Sequence, residues 1–351
     1  MKDPFTIFMF LWASQLSIAQ PVTIDNESVP VEYYRIPDNP LDPSYSTYSA
    51  DIEARFGGLS MTGFTETSLE DEYLNLAGYK KVNREGDIEI EASIGDFNVF
   101  GERTDMRRTK KKNKDGKEIF NITYAKEVKY SIPISIKVAD KKGNTLENEY
   151  IFSWTDENTY TTSYYNSLSE LDSYWRINRT SRLADLQRDK VREGFKKISS
   201  LLNDKYGYRL VKENAHFETI GKKKHPDYEV YQNALETIKE AFKTMSASSG
   251  LNTIKTRIKP SLDFYNAESK KYDTKSKDDK KLKHITLYNQ ALAYFWLEDF
   301  EQAAKFAKEI QKFNAKDRDA KRLLADIEYT RNSLERAEKK SRHGVMVGGK
   351  S

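Results

Sequence analysis

The sequence predicts an α+β protein: an N-terminal antiparallel β-sandwich-like domain followed by a C-terminal all-α stack of helices. Two periodicities, and the place where one gives way to the other, carry that expectation. Through residues 29–154 apolar side chains alternate with polar ones, the period of strands with one buried face. From Leu183 onward they recur every three to five residues, the period of an amphipathic helix. Residues 155–165 follow neither period, so 156–166 is the expected linker between a β-rich domain at 20–155 and a helical domain at 167–337.

In the β-rich half, Tyr48, Ala50, Ile52, Ala54 and Phe56 alternate with Ser49, Asp51, Glu53 and Arg55 until Gly57 and Gly58 end the run. Ile88, Ile90, Ala92 and Ile94 alternate in the same way with Asp87, Glu89, Glu91 and Ser93. The strongest run holds Val128, Tyr130, Ile132, Ile134, Ile136 and Val138; its Pro133 lacks an N–H and marks an edge or a bulge. Asp140 to Asn144, with Gly143, reads as a turn, after which Leu146, Tyr150, Phe152 and Trp154 supply the partner strand. A second hairpin tip is expected at Asn113-Lys114-Asp115-Gly116. Several antiparallel strands, each with one polar face, favour two stacked sheets.

In the helical half, Leu183, Leu186, Val191, Phe195, Ile198 and Leu202 share one helix face, which Asn203-Asp204 and Gly207 end. Tyr228, Tyr231, Leu235, Ile238, Phe242 and Met245 form a second, closed by Ser248-Ser249-Gly250, and Leu251, Ile254, Ile258, Leu262 and Tyr265 begin a third. Residues 206–220 fit neither period, 270–283 form a charged connector, and 338–351 have nothing to bury and are expected to be a disordered tail.

One motif stands out, at residues 284–317. Ala291 and Ala303 are small where two helices would approach closely, Tyr294 and Phe300 fill the seam, and Asp299 sits in the turn as a cap for the second helix. This stretch resembles one tetratricopeptide repeat, a pair of antiparallel helices joined by a tight turn. It departs from that pattern at Gln290, where the family prefers Leu, at Glu298 in place of the turn Gly, at Ala307 in place of an aromatic and at Ala315 in place of the closing Pro. Such a repeat cannot bury its own face, so the helices of 183–265 are expected to be degenerate partners and 319–334 a terminal capping helix. The resemblance implies an interaction scaffold whose first helix meets the ligand. It assigns a protein-binding groove to Ile285, Tyr288, Leu292, Phe295 and Trp296. That apolar set either receives a partner's segment or is covered by the chain's own helices, and the sequence leaves both open.

Residues 1–19 place an apolar run behind a charged N-terminus and end in Ser17-Ile18-Ala19, the pattern of a signal peptide cleaved before Gln20. The expected location is therefore the periplasm or outer envelope surface of a Gram-negative bacterium, and a helical stack behind a signal peptide and a β-domain also resembles exported envelope proteins of Bacteroidota. No later stretch approaches the roughly 18 apolar residues of a membrane span. With no Cys the chain must hold itself together by its core alone. Its net charge of +4, with Lys scattered among nearly as many acids, lacks the dense basic face that nucleic acid demands.

Chemistry is sparse. His216, His225, His284 and His343 show no metal-ligand spacing, and no nucleophile elbow, phosphate-binding loop or dinucleotide fingerprint is present, so no catalytic residue, metal or cofactor is assigned. Asp and Glu are plentiful, but nothing in their spacing marks a catalytic pair. Arg107, Arg108 and Lys110-Lys111-Lys112 beside the hairpin tip read as a charge-guarded solvated turn or as a site for an anionic partner such as a phosphorylated glycan or a lipid surface. Tyr160, Tyr164, Tyr165, Tyr174 and Trp175 read as an interdomain seam or as a glycan-stacking platform. The function expected from all of this is a non-catalytic envelope scaffold or adaptor that binds an envelope protein partner through its helical repeat; the alternative is a polysaccharide-binding protein that uses the β-rich domain.

Overall fold

A computed structural model describes residues 21–112, 114 and 116–344. The expected signal peptide at 1–19, the tip residues Asn113 and Asp115, and residues 345–351 lie outside them. The chain is α+β, with a strand-rich region ahead of the helices. In order, the first half holds β1 (Ile24–Arg35), β2 (Thr47–Ala54), α1 (Phe56–Leu59), α2 (Glu66–Tyr73), β3 (Lys80–Lys81), β4 (Ile88–Ile94), β5 (Asn98–Lys112), β6 (Glu118–Ser131), β7 (Ile134–Asp140), β8 (Thr145–Phe152) and β9 (Asn158–Thr161). There follow α3 (Leu168–Lys205), β10 (Arg209–Ile220), α4 (Tyr228–Phe242), α5 (Asn252–Ser269), α6 (Lys277–Trp296), α7 (Phe300–Phe313) and α8 (Arg318–Arg336).

The described residues divide into two compact units: one of 33–211, 247–249 and 332–344, the other of 21–32, 212–246 and 250–331. The stretch 156–166, expected as a linker, lies inside the first unit and contributes β9, which pairs with β6.

In the first unit a five-stranded sheet has the order β3-β2-β4-β7-β8 and a three-stranded sheet the order β5-β6-β9. The larger sheet is mixed rather than wholly antiparallel, because β2 runs parallel to both β3 and β4. The cause is the connection after β2, which carries α1 and α2 and returns the chain in the same direction; α2 is short and polar, so its period did not mark a crossover. Phe56, expected inside, leaves the strand at the start of α1 and is 96% exposed. The run 128–138 is not one strand but two, β6 and β7, broken at Ile132-Pro133 where the ladder lacks a donor. There the chains crossing between the two sheets run side by side: the Gly95 N–H donates to the Pro133 carbonyl at 2.9 Å, and a Cβ on Gly95 would lie 2.4 Å from Pro133 Cγ. Helix α3 begins at a Ser167 cap, fifteen residues before the apolar stripe announces it, and buries Leu171, Trp175, Leu183, Val191, Phe195, Ile198 and Leu202. At Gly194 it presents bare backbone to Ile134 and Phe152, since a Cβ there would meet Ile134 Cδ1 at 2.5 Å.

Part of the expected disordered tail belongs to this unit. The Arg342 guanidinium stacks over Tyr33 at 4.5 Å, its carbonyl accepts from Tyr34 N–H at 2.9 Å, and Gly344 N–H donates to Ala247 O at 2.7 Å. Composition misses this because a long Arg stem buries apolar area that its charge conceals.

In the second unit α4, α5, α6 and α7 are successive neighbours. Residues 209–220 resolve the unassigned stretch as a strand, β10, which pairs with β1. Core rings meet edge-on, Phe217 with Phe242 at 5.9 Å and Tyr231 with Tyr265 at 6.2 Å. The α6–α7 hairpin turns through Glu298, whose φ of 59° lies in the left-handed region, and Asp299 Oδ1 then accepts from Gln302 N–H at 3.2 Å to cap α7.

Candidate functional site

The residues expected to form a groove are mostly inside. Ile285, Leu292, Phe295 and Trp296 are all buried, and Tyr288 is half-buried with its ring stacked on His284 at 5.7 Å. Twelve of the twenty residues of α6 are buried, including polar Asn289 and Gln290, so this is a helix covered all round rather than one with an open face. The choice left open by the sequence falls to self-packing. Periodicity tells which side is apolar; it does not tell that α5, α7 and β10 have already taken that side.

The same helix holds a charge network that the sequence did not reveal. His284 Nδ1 lies 2.8 Å from Glu218 Oε2 and Nε2 lies 3.0 Å from Asp317 Oδ2, the latter too oblique for a hydrogen bond. Burial alone would pull the imidazole pKa down, but the two carboxylates outweigh it and hold it above its ordinary value. Beside it, Asn289 clamps the backbone of one residue of β10, accepting from Glu218 N–H at 2.9 Å and donating to Glu218 O at 2.7 Å. The carboxylates sit on opposite ring nitrogens and cannot converge on one ion; among the described residues no group of three His, Asp or Glu is placed to hold a metal. No signal in the sequence links positions 218, 284 and 317, which only the fold brings together.

The five aromatics expected as a seam or platform lie within the first unit, so they are not interdomain. Trp175, Tyr174 and Tyr160 pack with Val128 and Leu183 between α3 and the three-stranded sheet. Tyr165 meets Tyr174 at 5.2 Å. Tyr164 donates to Asp105 Oδ2 at 2.5 Å and lies under the Arg107 guanidinium at 4.2 Å. Glu102 accepts from Trp175 Nε1 and Arg179 Nε, both at 2.8 Å; burial raises its pKa, and these donors more than reverse that. These rings anchor the base of the β5–β6 hairpin.

Beyond that base the hairpin continues as a two-stranded arm. Every described residue from Met106 to Ile122 is exposed except half-buried Thr109 and Asn121. Residues 103–123 hold eight Lys or Arg against three Asp or Glu, a net of +5 in a chain whose total is +4. The register sets Met106 opposite Tyr124, Arg108 opposite Ile122, Lys110 opposite Phe120 and Lys112 opposite Glu118. These pairs share one face, and Arg107, Thr109, Lys111, Ile119, Asn121 and Thr123 share the other. On the first face Arg108 stacks over Phe120 at 3.5 Å and Lys110 pairs with Glu118 at 3.0 Å. Cations and large apolar groups are thus interleaved on one exposed surface, where Met106 is 60% and Phe120 48% exposed. An isolated two-stranded ribbon is marginal in water, which makes an uncovered arm of this kind unusual.

No family model matches the chain, and no curated protein is similar to it.

Proposed function

We propose that this chain is a non-catalytic adaptor of the cell envelope, and that it docks through the β5–β6 arm onto an anionic partner surface. The observation that carries the proposal is the interleaving of Arg108, Lys110 and Lys112 with Met106, Phe120 and Ile122 on one exposed face. Positive surplus confined to one projecting element steers and holds an anionic surface more effectively than the same charge spread over the molecule. The helical hairpin, which the sequence favoured as the contact, offers no open apolar face on α6. Export rests on the segment 1–19, and N-terminal sequencing of the mature protein should begin at or near Gln20.

The test uses inorganic polyphosphate as the anionic probe. Full-length protein should bind it with an affinity that falls steeply with salt. Reversing three arm charges together (Arg108→Glu, Lys110→Glu, Lys112→Glu) should weaken binding at least tenfold at low salt, whereas Lys308→Glu on α7 should not. Equal binding by the arm variant and the parent would remove the arm from the contact.

A further inference from the structure

We infer that the anionic surface is a lipid bilayer, and that the arm lies flat on it with the Met106, Arg108, Lys110, Phe120 and Ile122 face turned inward. This deepens the reading above and rests on it. Three features of the arm select a bilayer over a soluble polyanion.

The first is the pairing of chemistries. A soluble polyanion engages cations alone, and exposed Met106, Phe120 and Ile122 in its contact would stay wet or be desolvated to no purpose. The headgroup layer of a membrane offers anionic groups and an apolar boundary within a few ångströms of each other, so it satisfies Arg108 and Lys110 together with Phe120 and Ile122. The second is continuity of the face. At the base, α3 covers the same side of the hairpin, with Trp175 and Leu183 over Val128; beyond Tyr124 that side is left open while its apolar character persists. The third is shape. From Arg103 to Lys112 the arm extends roughly 30 Å at the rise of a strand, long enough to present the whole row of cations to one plane. Among the described residues its backbone edges carry no third strand beyond the four residues of β6 that β9 covers, Lys126, whose N–H and carbonyl bond Thr162, and the isolated Tyr124–Tyr165 bridge. It therefore rests in the headgroup layer, where water satisfies those edges, and does not enter hydrocarbon, where nothing would.

The experiment uses the mature chain from Gln20 onward and vesicles of two compositions, phosphatidylcholine alone and an equimolar mixture of phosphatidylcholine with phosphatidylglycerol. The protein should co-sediment with the mixed vesicles and not with the zwitterionic ones. The triple charge reversal should lower partition about a hundredfold or more, because each basic residue near an anionic surface contributes several-fold. Replacing Phe120→Ser and Ile122→Ser together should leave binding at low salt but lose about tenfold at physiological salt, where charge is screened and apolar insertion carries more of the affinity.

Because the chain has no Cys, a single introduced one takes an environment-sensitive fluorophore uniquely. A label on Phe120→Cys should shift to the blue with mixed vesicles, and one on Ile119→Cys, on the opposite face, should not. Circular dichroism of each variant confirms that it is folded before it is scored. Polyphosphate binding that depends on the arm, together with no vesicle binding, overturns the lipid surface and leaves the adaptor reading standing. Arm variants that alter neither overturn both. Equal shifts at 119 and 120, or equal binding to the two vesicle types, overturn the inference as stated.

Discussion

Two hairpins in this chain spend their apolar residues in opposite ways. The α6–α7 hairpin turns Ile285, Ala291, Phe295, Trp296, Ala303 and Ile310 inward and leaves almost nothing of α6 outside. The β5–β6 hairpin holds Met106, Ile119, Phe120 and Ile122 in water. The sequence left two readings open at each: a partner's groove or a self-packed face on the α hairpin, and a charge-guarded turn or a site for an anionic partner on the β hairpin. Their accessibilities differ in kind: an apolar side chain already covered by its own chain contributes stability, and only one left uncovered remains available for a partner.

The comparison breaks most visibly at α6. His284→Ala leaves Glu218 and Asp317 buried without their cation, and a loss of about 3 to 5 kcal/mol in urea unfolding is expected. Trp296→Ala should cost a similar roughly 3 to 5 kcal/mol in the partner-free protein; a near-wild-type melt would reopen the groove. The His284 network also has a pH signature. Its folded pKa is raised above the ordinary 6.5, so its stabilisation is fully present below that value and is lost as pH rises through the folded value. Melting temperature should therefore fall with rising pH across that window in the parent, and a His284→Gln variant should lack that component of the slope. Glu298→Gly relieves a left-handed backbone and should stabilise by about 1 kcal/mol or less. Smallest of all, Met106→Ser on the arm should change stability by under about 0.5 kcal/mol. A loss of several kcal/mol there would mean the arm is held by the fold and not kept for a partner.

Local rules carried the sequence a long way. The turn at Asp140 to Asn144, the Asp299 cap and the helix stripes of α3, α4 and α5 all appear where residue chemistry placed them. What local rules missed is everything whose partner is remote. The parallel pairing of β2 with β4 depends on a short polar helix between them. The strand at 209–220 becomes one through pairing with β1 and through the side chain of Asn289. The charge network joins residues 66 and 33 positions either side of His284, and nothing at position 284 distinguishes it from His216 or His343 in the linear chain. Exposure is the other quantity hidden from the linear chain: Ile119, Phe120 and Ile122 lie in water on the arm, whereas Ile88, Ile90, Ala92 and Ile94 lie in the core.

The second unit is assembled from segments far apart in the chain: residues 21–32 join residues 212–246 and 250–331, and Val22 N–H donates to Asp278 Oδ1 across 256 positions. This imposes an order of events on the ribosome and after it. The first described strand has no mate until β10 emerges nearly two hundred residues later, so it waits unpaired while the intervening residues are made. A chain that stays unfolded until synthesis is complete avoids that exposure to premature pairing, and a chaperone that holds its N-terminal segment would do the same service. Loss of a few residues in β1 therefore injures a unit whose other segments, 212–246 and 250–331, are made much later.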